Sequence, residues 1–261
     1  MTNPIGWCDV TCSPITGCLR NCTYCYARRM AQRLAGRFGY PADDPFRPTF
    51  HEDKLHLPQT WKKPRRIFMC SMSDIVAPWT PEAWTRRVLQ VADSCPRHTF
   101  IFLTKSPENL FLFNPWPANS WVGATVDVRP RLDPTLAALR DVEAPVKFIC
   151  FEPLLEYMGF PDFANAEVNW IIIGAQTGPG TNHDPLMMSI WVNDLLYSAG
   201  SRTRVWLKDN LIRALSGVLK SSSLERGKFA VGLPKIQQFP EAKGGNTMKH
   251  VEAGSSGGED G

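Results

Sequence analysis

Cys18, Cys22 and Cys25 stand in the string Gly17-Cys-Leu-Arg-Asn-Cys-Thr-Tyr-Cys-Tyr26, a C-x3-C-x2-C run with an aromatic just before the last thiol. Three thiolates this close repel one another, and a bound metal or cluster removes the conflict. Zinc is the rival ligand. A structural zinc takes four ligands, commonly as two pairs, and no second C-x2-C or H-x3-H pair follows Cys25. A cubane iron-sulfur cluster matches the count better, because three cysteines leave one iron open to a small molecule.

Other chemistry-bearing blocks follow: Ser71-Met-Ser-Asp74, Leu103-Thr-Lys105, Trp121-Val-Gly-Ala-Thr125, Phe151-Glu-Pro-Leu154 and Ile173-Gly-Ala-Gln-Thr-Gly-Pro-Gly180. With C-x3-C-x-aromatic-C, they resemble the radical S-adenosylmethionine (radical SAM) enzymes, specifically a phage-associated branch, over roughly residues 5 to 240. That branch often carries an acidic residue where Gln176 stands, and lacks thiols where Cys8 and Cys12 stand. The resemblance implies a [4Fe-4S] cluster held by Cys18, Cys22 and Cys25, and S-adenosyl-L-methionine as the second cofactor. It further implies an external one-electron reductant of flavodoxin or ferredoxin type. Cleavage of the cofactor to a 5'-deoxyadenosyl radical, which takes hydrogen from a substrate, is the activity implied.

The resemblance lays Tyr24 against the adenine, where loop packing is the alternative role. It places Ser71, Ser73 and Asp74 at the methionine amino group; their oxygens suit an ammonium, although Asp74 could equally cap a turn. Thr125 and Asp127 alternate with Val126, so both face one side and could reach ribose hydroxyls, or simply meet solvent at a strand end. Glu152 closes the apolar run Val146 to Phe151 and reads as a site carboxylate. Lys105 could orient a carboxylate or phosphate, or snorkel at a loop edge. The stretch from Gly174 through Gln176 to Gly180 reads as close backbone approach to the cofactor, without matching G-x-G-x-x-G or a P-loop. His183 is a candidate acid, base or substrate contact. Glu152, Lys105 and His183 form the catalytic set.

These residues need a scaffold. The chain has 261 residues, 43% hydrophobic and 11% aromatic, enough for one large α/β domain. Apolar runs of strand length alternate with helical periodicity, the pattern of a parallel sheet built from strand-helix units. Strands are expected at Asp9 to Ile15, Arg66 to Cys70, Thr99 to Leu103, Trp121 to Val126, Val146 to Phe151, Trp170 to Ile173 and Arg204 to Leu207. Helices are expected at Tyr26 to Ala35, Pro81 to Ser94, Arg131 to Arg140 and Pro185 to Ser198. Thr80 would cap the second helix, with Pro81 at its first position; Gly36 and Gly200 would end two others. The expectation is a partial or nearly closed parallel (β/α) barrel of six to seven strands, spanning 1–240. An irregular excursion at 39–64 and a disordered Gly/Ser/Glu tail at 241–261 complete it. In such barrels chemistry gathers at the carboxyl ends of the strands, where these blocks fall.

No apolar run approaches the ~18 residues of a membrane span, and the N-terminus lacks a signal-peptide pattern, so a cytoplasmic protein without membrane partners is expected. The eight cysteines then read as ligands or buried thiols. Cys8 and Cys12, four apart, would share one side of a strand, with Cys70 and Cys150 near the same mouth, which makes a second metal site conceivable; buried apolar packing is the alternative. Net charge of +4 permits a nucleotide or nucleic-acid-related substrate, and Trp61-Lys-Lys-Pro-Arg-Arg66 offers phosphate and stacking contacts. The alternative function is a non-catalytic metal- or cluster-stabilised nucleic-acid-binding or scaffold protein.

Overall fold

A computed structural model describes residues 5–178, 181, 184–221 and 236–240. Along the chain run β1 (Val10–Cys12), β2 (Ile15–Thr16), α1 (Tyr26–Arg33), β3 (Thr49–Phe50), α2 (Glu52–Leu55), α3 (Leu57–Thr60), β4 (Arg66–Met69) and α4 (Glu82–Asp93). Then come β5 (Thr99–Thr104), β6 (Ser120–Thr125), α5 (Leu132–Arg140), β7 (Val146–Phe151), β8 (Trp170–Ile173), α6 (Pro185–Ala199), β9 (Arg204–Leu207) and α7 (Asp209–Ser221), with 3-10 turns at Pro107–Phe113 and Arg129–Arg131.

Among the described residues, seven strands form one parallel sheet in the order β1-β4-β5-β6-β7-β8-β9, and β2 pairs antiparallel with β3. Strand order follows sequence order throughout, so right-handed crossovers bring every connection to the same face and the sheet curls into a partial barrel. The alternation of side chains shows both faces to be buried. Ile149 and Phe151 of β7 join Val88, Leu136, Val192 and Leu211 of the outer helices in one core. Phe148 and Cys150 of the same strand point the other way, into an inner cluster with Trp7, Trp121, Trp170 and Trp206. Gly123 in β6 makes room for this inner packing, since a Cβ there would lie 2.4 Å from the Phe148 carbonyl oxygen. The sheet stays open, with β1 and β9 at its edges. The β9 edge is covered: Leu207 N–H donates to Ile236 O and Gln238 N–H to Val205 O, both at 2.9 Å.

The structure departs from several expectations. The first expected strand is two, because Pro14 interrupts the ladder and turns the chain into β2. The excursion at 39–64 contains β3, α2 and α3. Thr80 does not cap α4: its hydroxyl donates to Asp74 O at 2.8 Å, and Pro81 takes the cap position without a side-chain bond. α1 ends at Arg33 with Leu34 as its cap; Gly36, at φ +72, belongs to the following turn, where its N–H donates to Tyr40 O. Gly200 caps α6, as expected. α7 went unanticipated. The tail at 241–261 lies outside the described residues. No described helix is long and apolar enough to cross a membrane.

Candidate functional site

The cysteine run begins where β2 ends. Gly17 has φ +87, and a Cβ on it would lie 2.0 Å from the Arg47 carbonyl oxygen, so only glycine lets the two backbones approach. Its N–H donates to Met72 O at 2.9 Å, and the Cys18 N–H donates to Phe46 O at 3.0 Å. The loop is thereby pinned between the 39–64 segment and the turn after β4. Cys18, Cys22 and Cys25 are free thiols, each half-buried. Cys25 caps α1, its sulfur accepting the Arg28 N–H at 3.3 Å. The Arg28 guanidinium donates back to Cys18 O and Arg20 O.

Burial pushes the Cys18 thiol up to about 11, with the charges of Asp74, Cys25 and Cys22 adding to it. The Cys18 sulfur thus lies close to those of Cys22 and Cys25. Among the described residues no three His, Cys, Asp or Glu side chains stand at metal-binding distance, so the loop carries the donors without drawing their sulfurs together. The donor set still fits a thiolate-ligated cluster: three half-buried thiols share one pinned loop. Beside them, the Ser73 hydroxyl is buried with no hydrogen-bond partner among the described residues, and Ser73 bridges to Gly17. An orphaned polar atom there fits a bound group that supplies its partner.

Charged side chains from the next strands close around this loop. Asp74, after β4, is buried; Thr104 Oγ1 donates to it at 2.5 Å and Lys105 N–H at 3.0 Å. Burial pushes its carboxyl above the usual range in spite of those bonds. Lys105, after β5, bonds Asp127 Oδ2 at 2.6 Å, and the Tyr24 hydroxyl donates to the same oxygen. Arg131 Nε lies 3.0 Å from Asp127 Oδ1. Burial alone would raise Asp127, but the bonds from Lys105 and Tyr24 and the charges of Lys105 and Arg131 outweigh it and hold the carboxyl below its ordinary value. Lys105 also lies over the Tyr24 ring. Tyr24 therefore joins the cysteine loop to the ends of β5 and β6.

On the other side of the mouth, Glu152 pairs with Lys208, which follows β9. Gly174 packs against both: a Cβ there would lie 3.0 Å from Glu152 Cγ and 3.1 Å from Lys208 Cδ. Ser71 Oγ lies 3.3 Å from Ser13 Oγ, and its carbonyl accepts the Tyr26 hydroxyl at 2.6 Å. Thr125 is buried at the end of β6, and Gln176 is partly exposed beyond β8. His183 lies outside the described residues.

Arg20, Arg131 and Lys208 escaped the sequence reading. Arg131 stands four residues from Asp127, but the extended Val128 between them means that no helical spacing announces the ion pair. Lys208 meets Glu152 across 56 residues, a contact that only the sheet order reveals.

The second metal site is not assembled. Cys8 and Cys150 lie in the inner cluster, whereas Cys12 and Cys70 lie in the outer core. Regular strand begins only at Val10, so alternation does not carry from Cys12 back to Cys8. Burial pushes the Cys8 and Cys12 thiols up to about 12, as expected of packed, inert cysteine. The tract Trp61 to Arg66 ends at the amino end of β4, opposite the cysteine loop; there Arg65 stacks on Trp61 and Arg66 pairs with Asp9.

A family model described as "Protein of unknown function (DUF5131)" matches residues 2–205. No curated protein matches the chain significantly. Solved structures similar to it include a substituted spore photoproduct lyase with bound AdoMet and dinucleoside spore photoproduct, at 13% identity and TM-score 0.45, covering 83% of this chain and 62% of that one. A second is spore photoproduct lyase complexed with dinucleoside spore photoproduct, at 13% identity and TM-score 0.43, covering 81% and 61%. The chain thus spans 62% or less of the length of these two lyase chains.

Proposed function

The chain belongs to the DUF5131 family, and we propose that it is a radical SAM enzyme acting on a nucleotide or nucleic-acid-related substrate. One observation carries this reading: three half-buried thiols on a single glycine-pinned loop, beside the carboxyl ends of a parallel partial barrel. When bound, a [4Fe-4S] cluster and S-adenosylmethionine would supply a 5'-deoxyadenosyl radical able to take hydrogen from an unactivated carbon.

The chain's own residues bind, orient and shield. Cys18, Cys22 and Cys25 would hold the cluster. The turn from Ser71 to Asp74 offers the unpartnered Ser73 hydroxyl to the methionine ammonium. Asp127, kept anionic by Lys105 and Arg131, accepts from ribose hydroxyls. Glu152, paired with Lys208, is the carboxylate that contacts the substrate. The inner cluster of Trp7, Trp121, Phe148 and Trp170 fills the concave face of the sheet and keeps water from it. An external flavodoxin- or ferredoxin-type reductant would supply the electron.

Anaerobic reconstitution followed by iron and sulfide analysis tests the cluster. The expected result is about four irons and four sulfides per chain, lost in Cys22→Ala. Zinc at the same cysteines would replace this reading with that of a metal-stapled binding protein.

A further inference from the structure

A cavity of about 250 Å³ opens between the ends of β5 and β6, lined by Arg20, Lys105, Glu108, Thr125, Arg131 and Thr135 among others. Its three cations come from three separate elements: the cysteine loop, the end of β5 and the turn before α5. Asp127 serves two of them, Lys105 and Arg131. Arg20 has no carboxylate within ion-pair distance among the described residues. Its Nη2 donates to Ser106 Oγ at 2.8 Å, its guanidinium lies over Trp79, and its Nε is buried without a hydrogen-bond partner. The neighbouring carboxylates are Asp127, the exposed Glu108 and the buried Asp74, which feels the Arg20 charge without pairing with it.

We propose that this cavity is the subsite for a phosphate group of a nucleotide or nucleic-acid substrate. The inference rests on the proposed function for the substrate class. Two guanidinium side chains, an ammonium side chain and two threonines line one small space, a donor-rich lining suited to the several oxygens of a phosphate. The volume is below that of pockets for whole drug-sized ligands, so it takes a phosphate with a few attached atoms while the base lies elsewhere. The tract at Trp61 to Arg66, at the other end of the sheet, does not share in this subsite.

The test is calorimetric titration of the full chain with cytidine and with cytidine 5'-monophosphate. The monophosphate is expected to bind about tenfold more tightly than the nucleoside, as one charge-assisted contact provides. Arg131→Gln and Arg20→Gln should each remove most of that preference, whereas Glu108→Gln should tighten the monophosphate. Arg131→Gln, on the turn before α5 and outside the cysteine run, keeps the test decisive if Arg20→Gln fails to fold. Equal binding of the two ligands, or a preference that survives both substitutions, overturns the proposal. Displacement of the monophosphate by inorganic phosphate at equal concentration would assign the cavity to free phosphate, and displacement by S-adenosylmethionine would assign it to the cofactor's carboxylate; either result overturns it too. Binding is read with or without iron in the chain, so failure here leaves the cluster measurement untouched, and absence of iron leaves this one interpretable.

Discussion

Lys105 and Asp127, 22 residues apart, meet at 2.6 Å where β5 and β6 end, and both side chains are largely buried. Tyr24 donates to the same carboxylate oxygen, and Arg131 approaches the other. The carboxylate is the shared member of the network, so the two substitutions differ in effect. Asp127→Asn leaves two cations facing each other and should cost on the order of 3 to 5 kcal/mol in urea unfolding. Lys105→Met leaves Asp127 with Tyr24 and Arg131 and should cost less. The double variant should lose less than the sum, because the two act through one contact. Strict additivity would deny the coupling.

Acid titration reads the same carboxylate. Its folded pKa lies below the ordinary 3.8, so the stability it contributes is complete above that value and is lost as pH falls through the folded value. The difference in stability between wild type and Asp127→Asn should therefore be widest near neutrality and narrow below pH 3.8. A difference that widened on acidification would show that the carboxyl is not held in its charged form.

Two glycines separate backbone strain from close approach. Gly17 and Gly159 both have positive φ, +87 and +71. A Cβ at Gly159 would meet nothing within 4 Å, whereas at Gly17 it would strike the Arg47 carbonyl. Gly159→Ala should cost about 1 to 2 kcal/mol. Gly17→Ala should cost distinctly more and lower the iron retained after reconstitution, since it displaces Cys18 from Phe46. Similar losses for the two variants would mean that the loop is not pinned there.

Thiol accessibility divides the cysteines. Cys18, Cys22 and Cys25 are half-buried, and Cys8, Cys12, Cys70, Cys95 and Cys150 are buried. Brief alkylation of the native, metal-free chain, followed by mass spectrometry, should modify the first three well before the rest. Early modification of Cys70 or Cys150 would contradict the packing described.

The strands Val146–Phe151, Trp170–Ile173 and Arg204–Leu207 were legible to the residue, because each is a short, mainly apolar run flanked by polar residues, proline or glycine. Residues around the mouth were legible as types at strand ends, but their partners were not. Nothing local announces that Lys208 reaches Glu152, or that the Thr80 hydroxyl serves Asp74 O and leaves α4 uncapped. The supposed pairing of Cys8 with Cys12 failed for a related reason: alternation is a property of regular strand, and only Val10–Cys12 is regular. α7 follows directly on β9, with no glycine or proline between them to mark the boundary.

Cofactor cleavage is the direct test of the central claim. The reconstituted chain would be mixed anaerobically with dithionite and S-adenosylmethionine, and 5'-deoxyadenosine would be followed over time, with Cys22→Ala in parallel. The account predicts 5'-deoxyadenosine from wild type and none above background from the variant. A chain that holds its cluster yet leaves S-adenosylmethionine intact, or a variant that cleaves it equally well, would contradict the account.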